Sequence, residues 1–243
     1  MRLNKFLSQA NVGSRRKCDE LVGRGFVEIN GKVVRDPWVR VHPGEDTVSF
    51  LGQNLTRTHS FTYILLNKPS GYIVSSFDPR GRKTVMDLIG SVKERVFPVG
   101  RLDYMTEGLL ILTNDGEMSL RLTHPRFGIE KCYHVTVSGR VTREKLGSLI
   151  TPVEFPDGKR SNVVRAKLVS ETKDESKIEL VLKEGWKHEV RRICEANGLK
   201  VLSLRRVSFG PLTLGNLMTG AFRFLTSREV HSLEKAAGIT RKN

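Results

Sequence analysis

The sequence predicts an α+β fold in two unequal units, residues 1–58 and 59–243, and three observations lead there. Residues 1 to about 58 read as helix, helix and hairpin. The remainder is dominated by short apolar or alternating strands, with helices at irregular intervals. No regular strand–helix alternation, Walker A loop or GxGxxG fingerprint marks a doubly wound sheet, so the larger unit is expected to hold a mixed or antiparallel one.

The elements follow in order. Leu3, Phe6, Leu7 and Ala10 repeat at helical spacing until Gly13. Ser14 can cap a second helix whose inward residues would be Cys18, Leu21 and Val22, closed by Gly23 and Gly25. Val27–Ile29 alternates, Asn30-Gly31 is a strong two-residue hairpin turn, and Lys32–Val34 returns. Residues 51–61 are polar and aperiodic and predict a linker. Beyond it, Tyr63–Leu66, Leu109–Thr113, Tyr133–Val137 and Ile178–Leu182 read as strands. Asn67–Gly71 reads as a turn, and 187–197 as a helix.

Composition narrows the partners. The net charge of +15, with a pI near 10.0, points to nucleic acid, because each Lys or Arg that neutralises a phosphate releases counterions. Residues 1–58 carry ten Lys/Arg against six Asp/Glu and so contribute +4 of that charge; the rest lies in the larger unit. Arg15, Arg16 and Lys17 stand together at a helix start, where positive charge opposes the helix dipole, and this favours an RNA contact over a merely solvated terminus. No long apolar run, basic amphipathic helix or lipidation signal suggests a membrane. Cys18, Cys132 and Cys194 are scattered and lack CxxC pairing, so neither a disulfide framework nor a zinc site is expected. The N-terminal residues have no apolar signal core, and a cytoplasmic location is expected.

The segment most suited to chemistry is Val99 to Gly116, which places Arg101 and Asp103 on a Gly-flanked loop just before an apolar strand. Spacing alone equally allows Asp103 to bond its own backbone in an Asx turn.

Longer stretches decide between these readings. "RLNKFLSQANVGSRRKCDELVGRGFVEINGKVV" resembles the S4-type RNA-binding domain. "GRLDYMTEGLLILTNDG" is similar to the signature of the RsuA-type family of rRNA pseudouridine synthases. "LLNKPSGYIVS", "HPRFGIEKCYHVTVSG", "EGWKHEVRRICEANG" and "RRVSFGPLTLGNLMTGAFRFLT" match further family segments in the expected order. The resemblance implies a pseudouridine synthase that needs no cofactor, with rRNA or a pre-ribosomal particle as partner, acting as a monomer.

It also implies site residues. The catalytic carboxylate falls on Asp103, and Arg191 would hold it ionised. Tyr133 would lie against the uracil and help remove the proton from the new carbon–carbon bond. Arg101 would fill the stack left by a flipped base or clamp the backbone beside it. Lys68, Lys187 and Arg192 would add RNA contacts, and of Arg205 and Arg206 at most one, since neighbours on a strand face opposite ways. Asp103 could attack the uracil ring or the anomeric carbon, or abstract a ribose proton. Glu189 departs from the Gln common in relatives and, if it faced the site, would compete for Arg191. Two segments look closer to members acting on large-subunit rRNA. The alternatives are a small-subunit enzyme and a non-catalytic rRNA-binding or assembly factor on the same scaffold. A metal-dependent nuclease fails for want of clustered carboxylates with His partners.

Overall fold

The computed structural model describes residues 1–56 and 60–240, and they divide into two compact units, Met1–Phe61 and Thr62–Asn243. The expected boundary between 58 and 59 lies outside the described residues.

The small unit holds α1 (Leu3–Gln9), α2 (Arg15–Gly23), β1 (Val27–Ile29), β2 (Lys32–Val34), β3 (Val48–Phe50) and β4 (Gln53–Asn54), in an antiparallel sheet of order β2-β1-β3-β4. The Ser14 hydroxyl caps α2 by accepting from the Lys17 N–H at 3.2 Å. Asn30 and Gly31 both take positive φ, as a two-residue hairpin turn requires. Leu3, Phe6, Leu7, Cys18, Val22, Val27, Val41 and Val48 make the core; Leu21 is only partly buried. The polar stretch after Phe50 is not all linker. Leu51 and Gly52 turn the chain at positive φ, and Gln53–Asn54 pairs back onto Ser49–Phe50.

The large unit is built on a sheet of order β13-β5-β7-β11-β8-β10-β9, with β6 added to β7 and β12 to β11. Its strands are β5 (Tyr63–Lys68), β6 (Phe97–Pro98), β7 (Glu107–Thr113), β8 (Lys131–Ser138), β9 (Val163–Glu171), β10 (Glu175–Leu182), β11 (Val201–Phe209), β12 (Leu212–Thr213) and β13 (Phe222–Phe224). The helices are α3 (Gly116–Thr123), α4 (Arg143–Ile150), α5 (Glu189–Ala196) and α6 (Ser227–Ala236). The sheet is mixed: β7 and β11 run parallel, and the other described pairs are antiparallel.

The two faces are covered unequally, and this explains the sequence pattern. In β5 and β7, Ile64, Leu66, Leu110 and Leu112 pack into one core while Tyr63, Leu65, Leu109 and Ile111 pack into another with α3 and α6 residues Met118, Leu122 and Leu233. Both faces are dry, so these strands read as unbroken apolar runs. In β8 and β10 only Tyr133, Val135, Val137, Ile178, Leu180 and Leu182 face a core, and the strands alternate. Where β7 meets β11, Gly108 (φ +104) lies opposite Arg206; a Cβ there would collide with the Arg206 carbonyl. Arg206 itself is buried and donates from Nε to the Leu109 carbonyl at 2.8 Å, whereas Arg205 is half-buried on the opposite face. All three cysteines are buried and free. No described helix is long and apolar enough to cross a membrane.

Candidate active site

The loop from Gly100 to Thr106 connects β6 to β7, and its shape is imposed from inside by one lysine. Lys68 ends β5 with no exposed surface, and its ammonium donates to the carbonyls of Thr106 (2.8 Å), Pro69 (3.0 Å), Asp103 (3.2 Å) and Tyr104 (3.2 Å). Burial pulls this amine down to about 8, against the nearby Glu107 and Asp103 charges. The Thr106 N–H closes the loop onto the Asp103 carbonyl at 3.0 Å, and the Gly71 N–H binds the Tyr104 carbonyl at 2.9 Å. Lys68 is therefore a correction to the sequence reading: its ammonium is enclosed by carbonyls and unavailable to a phosphate.

With its backbone held, Asp103 presents its carboxylate to a cleft of about 200 Å³. Gly100, Arg101, Leu102 and Thr106 form one wall, Tyr133 of β8 and Leu204 of β11 line it, and Gly185 to Val190 form the other wall. Tyr133 is buried in register with Arg206 on β11 and Leu180 on β10, so its ring has a fixed place opposite the loop. The Asp103 side chain is not spent on a turn. Its Oδ2 lies 3.1 Å from His188 Nδ1, and both side chains are partly exposed. His188 stands just before α5 at φ +58, a left-handed backbone that cannot continue into a helix, so the helix expected from 187 begins at Glu189.

The remaining expected residues divide. Arg101 and Lys187 are exposed and line the cleft. Arg191 does not meet Asp103; it lines a separate hollow with Glu195 and Gly198 to Val201, and no ion pair joins it to Asp103 among the described residues. The guanidinium partner expected for Asp103 is thus replaced by the imidazole of His188, three residues earlier and just before the helix. Arg192 is bound bidentately to Asp157 (2.8 and 2.9 Å) and stacks over Phe155 and Trp186, so it is a packing residue rather than a free phosphate contact. In the small unit, Arg15 donates to Asn4 Oδ1 at 3.2 Å, Lys17 pairs with Glu20 at 2.9 Å, and Arg16 is exposed.

Glu189 does line the cleft, but buried. Its Oε2 accepts from the Trp186 N–H at 3.3 Å, and burial followed by repulsion from Glu184 pushes the carboxyl up to about 7. No bond joins it to Arg191 among the described residues. Sequence reasoning passed over His188, and no helical spacing could have found it: it stands before the helix in a left-handed backbone and faces the cleft, while Arg191 faces a separate hollow. Among the described residues no three His, Cys, Asp or Glu side chains gather as a metal site.

A small basic antiparallel module and a mixed-sheet domain whose cleft holds a carboxylate and a Tyr fit an enzyme that acts on an anionic polymer such as RNA. Comparison with known proteins gives the family. The RNA pseudouridylate synthase model matches residues 62–196, and the S4 domain model matches residues 1–47. The chain is 43% identical over 242 residues to an uncharacterized RNA pseudouridine synthase of Aquifex aeolicus, covering 98% of this chain and 96% of the relative. It is 41% identical over 238 residues to ribosomal large subunit pseudouridine synthase B of Bacillus subtilis, covering 97% and 96%. A crystal structure of a pseudouridylate synthase matches with a TM-score of 0.66 at 29% identity, covering 96% of this chain and 99% of that one. The chain belongs to the RNA pseudouridylate synthase family, in its RsuA-type branch with an N-terminal S4 domain, and is an RNA-modifying isomerase.

Proposed function

We propose that this enzyme converts one uridine of large-subunit rRNA to pseudouridine, with Asp103 as the nucleophile. The observation that carries the reading is the Asp103 carboxylate, held by a buried lysine's grip on its backbone and turned into a cleft that Tyr133 lines. The large-subunit assignment is supported by the 41% identity to the Bacillus subtilis enzyme of that name.

The reaction breaks the N1–C1′ bond, turns the uracil, forms a C5–C1′ bond and moves the C5 proton to N1, with no net oxidation. A carboxylate at the cleft wall can assist by adding to the ring or to the anomeric carbon, or by taking a ribose proton. His188, through Nδ1, would aim one Asp103 oxygen. Tyr133 lies where it can receive the C5 proton once the new bond has formed. A uridine stacked in a helix must first swing out, which costs a few kcal/mol. Arg101 and Lys187, exposed on opposite walls, are placed to hold the flanking phosphates and offset that cost. The substrate is rRNA itself or an assembling large subunit, met in the cytoplasm by a monomeric enzyme.

Mapping pseudouridines in rRNA from cells with and without the protein tests this. Loss of one large-subunit pseudouridine is expected. A loss confined to small-subunit rRNA would replace the subunit assignment, and an unchanged map would leave an rRNA-binding factor.

A further inference from the structure

The small unit carries an aromatic platform that the catalytic reading does not use. Trp38 is 67% exposed, unusual for a side chain this large and apolar. Its position is built, because residues 1–3 and 39–41 form a short two-stranded ribbon. In it the Met1 ammonium donates to the Val41 carbonyl (2.6 Å), the Val41 N–H to the Met1 carbonyl (2.8 Å) and the Leu3 N–H to the Val39 carbonyl (2.9 Å). The Trp38 N–H is held by Asp36 Oδ1 at 2.9 Å. Within that ribbon Arg2 and Arg40 are direct antiparallel partners, so their side chains leave on the same side. The Arg2 guanidinium sits 4.8 Å from the centroid of the Trp38 ring.

Two like charges directly opposite one another are unfavourable unless something anionic lies between them. Among the described residues no carboxylate forms an ion pair with either arginine, and both are exposed. An open indole beside an uncompensated pair of guanidiniums fits one ligand chemistry. A base stacks on the ring while the phosphates on either side of it meet the arginines. A duplex does not fit, since paired bases keep their faces inside the stack.

We infer that Trp38, Arg2 and Arg40 form a stacking site for an unpaired nucleotide of single-stranded RNA, separate in the chain from the residues that line the catalytic cleft. The site rests on the protein having an RNA substrate and is independent of the role of Asp103. It anchors an unpaired segment of the rRNA and is tolerant of base identity, because every base offers a π-face.

The test uses the full-length protein and three probes: a short oligoadenylate, which contains no uridine to react; a blunt RNA duplex; and inorganic polyphosphate. Oligoadenylate is expected to quench tryptophan emission more in the wild type than in Trp38→Phe. Trp38→Ala should weaken oligoadenylate binding about 10-fold and leave duplex and polyphosphate binding within about two-fold, and Trp38→Phe should restore most of the loss. Arg2→Ala with Arg40→Ala should weaken all three and flatten the salt dependence of binding by about 1.4 in log–log slope, or about 0.7 per phosphate contact.

Equal oligoadenylate affinity in Trp38→Ala, or an equal loss for all three probes, would overturn the proposal. If Trp38→Ala does not fold, the quench decides instead, and equal quenching in the wild type and Trp38→Phe overturns it. A concentration-dependent blue shift of Trp38 emission without RNA would assign the surface to protein contact.

Discussion

The two walls of the cleft are made of different materials. The Gly100–Thr106 wall is clamped from within, with four carbonyls converging on the Lys68 ammonium, which is fully buried. The Gly185–His188 wall has no such clamp and is held by side-chain packing, with Trp186 edge-on to Phe155 and under the Arg192 guanidinium, and by a few hydrogen bonds. The Glu189 N–H reaches the Trp186 carbonyl at 3.3 Å, Glu189 takes the Trp186 N–H at the same distance, and His188 receives the Arg192 N–H at 2.9 Å. The carboxylate sits on the clamped wall and its imidazole partner on the other. That division suits a reaction in which a uracil must detach, turn and reattach without leaving. The proposed nucleophile would keep its position while the opposite wall yields to the turning ring.

The contrast can be broken most severely at Asp103. Asp103→Asn removes the proposed nucleophile but keeps the shape, and pseudouridine formation in a tritium-release assay should fall to background while RNA affinity stays within a few-fold. Measurable turnover would transfer the chemistry to another residue.

The clamp gives the next largest effect. Lys68→Met fills the space but removes the donor shared by the carbonyls of Pro69, Asp103, Tyr104 and Thr106, leaving Asp103 and Tyr104 only the Thr106 and Gly71 N–H groups. Stability should drop by about 3 kcal/mol in a urea melt. Turnover should fall by about 100-fold, through a misplaced Asp103, with RNA affinity little changed. Unaltered turnover would show that the loop holds its form without the clamp.

Lys68 also marks where the sequence was readable and where it was not. Strands β5 and β7 were legible because both faces are dry, and the hairpin because Asn30-Gly31 allows little else. Strand β9 was missed because only Val163 of its nine residues is fully buried; most of the rest face water, Val164 and Val169 among them, and the apolar alternation is broken. Strand β11 was missed because two arginines sit at its centre, one of them enclosed between strands. Asp103 and Tyr133 were recognisable from local motif spelling. The purpose of a cation is not local: Lys68, Arg191 and Arg192 look alike as letters. Whether a cation meets solvent, a carbonyl cage or Asp157 depends on residues tens of positions away, such as the 35 separating Lys68 from Asp103.

On the adjustable wall the question is which cation faces the carboxylate at work. His188→Ala removes the observed partner and should lower kcat about 10-fold with KM nearly constant, since an aiming group acts on the reacting state. Arg191→Ala, in its separate hollow, should cost less than about three-fold. The reverse order would mean that RNA binding turns α5 so that the guanidinium replaces the imidazole, and the wall would be a switch rather than a yielding surface.

The smallest effect comes from Glu189, at the base of that wall. Its folded carboxyl titrates near 7 rather than at its ordinary 4.5, chiefly because it is buried. Between those two values the folded protein binds more protons than the unfolded chain, so the stability linked to this group is fully present below pH 4.5 and is lost as pH rises through 7. Glu189→Gln is neutral throughout and removes that dependence. The wild type should therefore gain stability relative to Glu189→Gln as pH falls from 7.5 to 5, by on the order of 2 kcal/mol, read as the difference between two sets of urea melts. Parallel curves would mean that water reaches this carboxyl and that the wall is looser still. A difference that grows toward high pH would instead mean that the Lys131 ammonium, which acts on Glu189 through space, holds the carboxylate charged. The adjustable wall would then be pinned at its base by an ion pair, and the contrast with the Lys68 clamp would shrink to one of degree.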